Sequence, residues 1–413
     1  MVRVVLFAGK GGVGKTTLAA ATAASMSAAG RKTLIVSTDP AHSLSDVLNI
    51  RLGHDPSEVD DGLFASQLDS GALLGDAWST VRTHLATVLA GAGVNEMVAE
   101  ELTVLPGVEE LLALSEVQRM TGAGPWEVVV VDCAPTAETL RLLALPEVFA
   151  GYLERLFPTH RRVVRGMLAG LAGPNSSAQR WDAAADALGN LVVHLESLRA
   201  LIADPTMTTV RLVLTPERVV AAETRRSVTA LALQGVRVDG LLVNRLVPKL
   251  SAKARGPAAD WVRTRRREQE AVLAALSADF PGMPVRTVEH CAAEPVGLAA
   301  LRELTDDLRG GADIGDGLLD LMTGAPPEPM LTVTGAGGSG LDARFQLRLA
   351  LPLLDAEGLE LCRVADDLAV TVAGHRRLVA LPSVLRRCTV IGAEVDAAGL
   401  LVWFKPDPAV WMR

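Results

Sequence analysis

Arg3-Val4-Val5-Leu6-Phe7-Ala8-Gly9-Lys10-Gly11-Gly12-Val13-Gly14-Lys15-Thr16-Thr17 is the stretch that decides the fold of this chain. An apolar run of strand length comes first, then a glycine turn. Lys15 then opens an alanine-rich helical pattern that reaches about Ala29 and closes at Gly30. A strand, a glycine loop and a helix in that order make a phosphate cradle. The glycines let backbone N–H groups face inward, the helix N-terminus adds its positive end, and a lysine neutralises phosphate oxygens. Gly9, Gly14, Lys15 and Thr16 fill the G-x-x-x-x-G-K-[ST] pattern, which reads as ATP binding and hydrolysis.

Working outward, Thr33–Ser37 is a second short strand that delivers Asp39, and two helical stretches follow, about Gly71–Ala90 and Glu96–Thr121. Val128–Val131 is an unbroken valine run ending at Asp132, as in a parallel strand buried on both faces. Val210–Leu214, Gly240–Val243 and Pro284–Val288 repeat the pattern. Strands alternating with helices predict an α/β unit, a mainly parallel sheet with helices on both sides, over 1–308. Residues 150–204 read as a helical insertion with no strand, in which Leu153, Leu156, Val163, Met167 and Leu171 crowd one stretch. Residues 309–329, rich in glycine and acidic residues and holding Pro326-Pro327, read as a linker.

Over 330–413 the period becomes two. Phe345, Leu347, Leu349 and Leu351 alternate with Arg344, Gln346, Arg348 and Ala350, and Leu359–Val364, Leu368–Ala373, Arg377–Leu381, Val390–Val395 and Leu400–Phe404 are further strands. A small all-β sandwich is predicted there.

Composition limits the function classes. The 413 residues are 49% hydrophobic and 21% charged, enough for two packed units. A formal net charge of -8 gives no general pull toward nucleic acid or anionic lipid. No apolar run is long enough to span a bilayer and no signal peptide is read, so membrane insertion is not expected. Four scattered cysteines suit a reducing cytoplasm. Only six of the forty basic residues are lysine, and two of these, Lys10 and Lys15, lie in the glycine loop. A chain that otherwise uses arginine keeps lysine where a compact charge must reach a phosphate.

With Lys10 the loop takes the deviant form G-K-G-G-x-G-K-T-T. In this it resembles the arsenite-pump and tail-anchored-protein targeting ATPases of the wider Min/ParA-like group. Ser37-Thr38-Asp39-Pro40-Ala41-His42-Ser43-Leu44-Ser45-Asp46 is similar to that family's first switch. Asp132-Cys133-Ala134-Pro135-Thr136-Ala137-Glu138-Thr139-Leu140-Arg141 is similar to its second. The resemblance implies roles for Gly9–Thr17 around ATP. Lys15 would bridge the β- and γ-phosphates, Thr16 would bind Mg²⁺, and Lys10 would reach the nucleotide of a partner in a homodimer. Asp39 would orient the attacking water near the metal, Asp132 would hold a magnesium-bound water, and Asn244 with Arg245 would meet the adenine. From the residues alone, Asp39 also reads as a helix cap before Pro40, and Asp132 and Asn244 as turn residues after strands.

Glu138 and Cys133 stand where the family has histidine and threonine. No C-x-x-C pair is present for an interfacial zinc, and Cys133, Cys291, Cys362 and Cys388 show no metalloid-site grouping. The C-terminal unit resembles the α-crystallin (small heat-shock protein) domain appended to some family members, on Leu349-Ala350-Leu351-Pro352 and Arg376–Pro382; a sandwich that only docks is the other reading. Arg263, Arg265, Arg266 and Arg267 are expected on a solvated helix face. The expected function is a nucleotide-switched homodimer handling hydrophobic or tail-anchored protein segments. The alternatives are a Min/ParA-like positioning ATPase and the energising subunit of an anion or metalloid pump.

Overall fold

The computed structural model describes residues 2–39, 43–68, 108–133, 193, 196–309 and 330–411, without the side chains of 108–111 and 306–309. The expected helix at Gly71–Ala90, most of the 150–204 insertion, the 309–329 linker except Arg309, His42 and residues 134–141 of the second switch lie outside them.

One sheet of eight strands organises the N-terminal part. The strands are β1 (Arg3–Ala8), β2 (Thr33–Ser37), β3 (Ser57–Asp60), β4 (Leu63–Gln67), β5 (Val128–Asp132), β6 (Thr208–Leu214), β7 (Val238–Leu246) and β8 (Val285–Glu289), in the order β3-β4-β2-β5-β1-β6-β7-β8. Every pairing is parallel except β3 with β4. The valine run explains the centre. Val129 and Val131 join one apolar layer while Val128 and Val130 join the other, so β5 needs cover on both faces. Helix α1 (Lys15–Ala28), α2 (Ser43–Leu48) and the later α6 (Leu298–Arg309) supply one cover through Leu18, Met26, Leu44 and Leu301. On the other face lie α3 (Val108–Ala123), α4 (Arg218–Leu233) and α5 (Pro257–Asp279), with Leu114, Val228 and Leu276. Residues 196–203 are helical and bury Leu198 and Ile202 in that same layer.

Helix α1 ends as its sequence predicts. Gly30 takes φ 80°, its N–H bonds the Ser27 carbonyl at 2.8 Å, and Arg31 N–H bonds Met26 O at 3.1 Å, the paired hydrogen bonds of a glycine-closed helix. The β3–β4 hairpin was not foreseen. It sits at the sheet edge, and Ser57 and Glu58 face solvent there, so β3 shows no apolar alternation.

The C-terminal part is two antiparallel sheets. One has the order β14-β15-β10-β9, from β9 (Leu331–Gly337), β10 (Arg344–Leu349), β14 (Cys388–Asp396) and β15 (Gly399–Pro406). The other is β11-β12-β13, from β11 (Leu359–Val364), β12 (Asp367–Val372) and β13 (His375–Ala380). Leu347, Leu349 and Phe404 of the first sheet share a core with Leu368, Val370 and Val379 of the second, which makes the expected sandwich. β9 was not read as a strand: it is an edge element whose Thr-Gly-Ala-Gly half is exposed.

Candidate nucleotide-hydrolysis site

The site lies at the C-terminal edge of the parallel strands, where β1 passes its chain into the glycine loop and then α1. Two contacts shape that loop from outside. A Cβ on Gly9 would fall 2.1 Å from the Val213 carbonyl oxygen of β6, so only hydrogen fits there. Gly14, the residue before α1, holds φ 93°, and a Cβ on it would fall 2.3 Å from Asn244 Nδ2. That amide donates to Val13 O at 2.9 Å, and Asn244 Oδ1 accepts from Arg245 N–H at 2.8 Å. The end of β7 therefore clamps the loop, placing Asn244 and Arg245 beside it. No acidic residue stands in the first turn of α1, which leaves its positive end uncompensated by the chain.

Lys15 is buried, and its Nζ donates to Lys10 O at 3.3 Å, curling back over the loop. Lys10 points the other way. It is half exposed, and its Nζ lies 3.3 Å from Glu223 Oε2 on α4. Sequence reasoning missed Glu223, because no motif marks a helix residue that only the fold brings beneath a loop.

Asp132 is fully buried at the end of β5, in register with Phe7 on one side and Ser37 on the other. The Ser37 hydroxyl donates to its Oδ2 at 3.3 Å, while Oδ1 has no hydrogen-bond partner. Burial pushes its carboxyl from the ordinary 3.8 up to about 6. The Asp39 charge adds to that rise, and the Thr16 hydroxyl, the Lys15 ammonium and Ser37 oppose it. A buried carboxylate with an unsatisfied oxygen beside a threonine hydroxyl is a fitting donor set for a hard divalent cation or its bound water.

Asp39 is half-buried. Its N–H bonds Ser37 Oγ at 3.3 Å, its Oδ2 accepts from Ser43 Oγ at 3.4 Å, and Gln67 Nε2 donates to its carbonyl at 2.9 Å. Ser43 opens α2, but this bond joins two side chains and satisfies no N–H of the helix, so it does not make Asp39 a helix cap. Gln67, at the end of β4, went unnoticed because the hairpin did.

Cys133 is inert. Burial, with Asp132 beside it, drives its thiol up to about 12. Cys388 is buried as well, and all four cysteines are free. Among the described residues no three His, Cys, Asp or Glu side chains gather as a metal site. None of the described helices is long and apolar enough to cross a membrane.

The basic run on α5 fits the expected solvated face at Arg267, which is exposed, while Arg265 and Arg266 do more. Arg265 pairs with Glu217 at 2.7 Å. Arg266 reaches Glu289 at 3.0 Å and donates to Val247 O at 2.6 Å, tying α5 to the loops after β6 and β7 and to the end of β8.

Against known families, residues 2–310 match the profile described as the anion-transporting ATPase, and residues 342–404 match the HSP20-like domain found in ArsA. The chain belongs to the ArsA ATPase family. Protein Rv2184c of Mycobacterium tuberculosis is 42% identical over 99% of this chain and 97% of its own length. A Prosthecochloris vibrioformis protein named as an arsenical pump-driving ATPase is 31% identical over 92% of this chain and 90% of its own. ATPase GET3 of Podospora anserina is 32% identical over 66% of this chain and 80% of its own. As an ArsA-family member the chain is an ATPase, with an HSP20-like domain following the catalytic one.

Proposed function

We propose that this ATPase works as a Mg²⁺-dependent, nucleotide-switched homodimer that binds hydrophobic protein segments as a targeting factor or chaperone. The observation that carries the catalytic part is Asp132, a buried carboxylate with one unsatisfied oxygen, next to Thr16 and Lys15. Thr16 and Asp132 would hold Mg²⁺ with its waters, and the ion would neutralise phosphate charge. Lys15 serves the β- and γ-phosphates, and Asn244 with Arg245 meets the base from the β7 side. Asp39 orients the attacking water; its main chain is pinned by Ser37 and Gln67, so its carboxylate has a fixed origin. Lys10, half exposed outside the buried part of the loop and paired with Glu223, would serve a partner's nucleotide once that pair opens.

Support for a client role comes from the HSP20-like domain, the likeness to a GET3 ATPase and the apolar, Met-containing stretch within 150–204. The free cysteines fit a cytoplasmic setting. The test is light scattering of Asp39→Asn protein, which should retain ATP: a dimer with ATP and weaker association with ADP is expected, and equal mass in both states would refute the switch.

A second reading, the energising subunit of an anion pump, is favoured by the family's description and by relatives named arsenical pump-driving ATPases. Recovery of a membrane permease as the stoichiometric partner from cells would select it over the client reading.

A further inference from the structure

Helix α4 touches both the glycine loop and the C-terminal sandwich. Near its start, Val220, Glu223 and Thr224 wall the crevice under Gly9 and Lys10, and Glu223 holds the Lys10 ammonium. Ten residues on, about 15 Å along one continuous helix, the same element enters the sandwich. Ala232 and Leu233 are part of the sandwich core. Thr229 Oγ1 donates to Pro352 O at 2.7 Å, and Arg377 Nη1 donates to Leu233 O at 2.7 Å. Just past the helix, Gln234 Nε2 donates to Arg376 O at 3.4 Å.

We propose that Glu223 is a positioning residue for ATP hydrolysis, holding Lys10 on its own chain, and that sandwich docking on the far end of α4 sets how firmly it holds. This rests on the reading of Lys10 as a residue that acts on phosphate. A carboxylate and a phosphate compete for one ammonium, so Lys10 cannot serve a nucleotide while it is paired with Glu223. Both partners are about half exposed, at 50% and 40% of the side chain. A pair of that kind shifts a population by about two- to fivefold and is screened by salt. That is weak enough to open in each cycle and strong enough to bias it. The sandwich side is firmer: the apolar anchor and three side-chain bonds fix the C-terminal end of α4, so any shift of the sandwich must carry α4 with it.

The test uses the full chain without nucleotide at low ionic strength, treated with an amine-acylating reagent and read lysine by lysine by mass spectrometry. Glu223→Gln should speed Lys10 labelling by about two- to fivefold, measured against the exposed Lys249 and Lys253, and should raise ATP turnover by a similar factor. Both gains should fade at high salt. Arg377→Ala, or Thr229→Val across the same junction, should change Lys10 labelling only while Glu223 is present. Unchanged labelling in Glu223→Gln overturns the hold. Junction variants with no effect, or with an effect that survives Glu223→Gln, overturn the coupling. Faster labelling with unchanged turnover overturns the positioning role. In that case Lys10→Ala locates the failure: full activity refutes the Lys10 reading itself, and lost activity refutes Glu223 alone.

Discussion

Asp132→Asn is expected to stabilise the nucleotide-free protein while disabling it. The wild-type carboxyl is displaced from 3.8 to about 6, chiefly by burial. At about 1.4 kcal/mol per tenfold change in proton affinity, that displacement corresponds to about 3 kcal/mol. The sign follows from proton binding: the folded chain holds this proton more tightly than the unfolded one. The stabilisation is complete below 3.8 and is lost as pH rises through about 6. At pH 7.5 the wild type therefore carries the net penalty of burying that charge, which Thr16, Lys15 and Ser37 offset only in part, and an amide of the same shape does not. Asp132→Asn should then unfold at a higher temperature, by roughly 3–4 °C for a chain of this size. The advantage should shrink steadily on acidification and vanish near pH 4. Melting curves of the two proteins across pH, without nucleotide, give the comparison. Adding ATP and Mg²⁺ should raise the wild-type midpoint more than that of the variant, because only the wild type gains a counter-ion for the carboxylate. A variant no more stable than wild type at pH 7.5, or a difference that does not depend on pH, would refute the reasoning.

Asp39→Asn should keep ATP affinity in a nucleotide-binding titration while single-turnover hydrolysis falls by about 10²-fold or more; an unchanged rate removes Asp39 from the chemistry. Gly9→Ala should cost about 1–3 kcal/mol in denaturant melts and weaken nucleotide binding, since its Cβ would sit 2.1 Å from Val213 O. Gly11→Ala, with no atom within 4 Å of the new Cβ, should leave stability nearly unchanged.

How far the sequence revealed the site depended on distance along the chain. The loop, Asp39 and Asp132 were legible because each follows an apolar strand, and a parallel sheet brings strand ends to one edge. Asn244 was legible for the same reason, as the residue after the apolar run of β7, although the strand continues through it to Leu246 and its bond to Val13 O was not foreseen. Glu223 and Gln67 were not legible. Glu223 lies on an ordinary amphipathic helix, and only the placement of α4 beneath β1 and β6 brings it to Lys10. Gln67 ends an edge hairpin whose first strand exposes Ser57 and Glu58, so that strand had no period to read. The β10–β15 alternation was strong because Leu347, Leu349, Val402 and Phe404 all face one core, whereas β9 packs with only half its length and left no such trace.

Lys10 and Asp39 divide the proposed mechanism between two chains, one acting in trans and the other in cis, and that division is what mixing can test. Lys10→Ala and Asp39→Asn proteins, each impaired alone, are combined under conditions where subunit exchange is shown by labelled chains, and ATP turnover is measured. A mixed dimer contains one complete site, on the Lys10→Ala chain, with its own Asp39 and the partner's Lys10. Turnover above that of either variant alone is the predicted result. Turnover no greater than the average of the two, with exchange complete, would contradict the shared-site dimer.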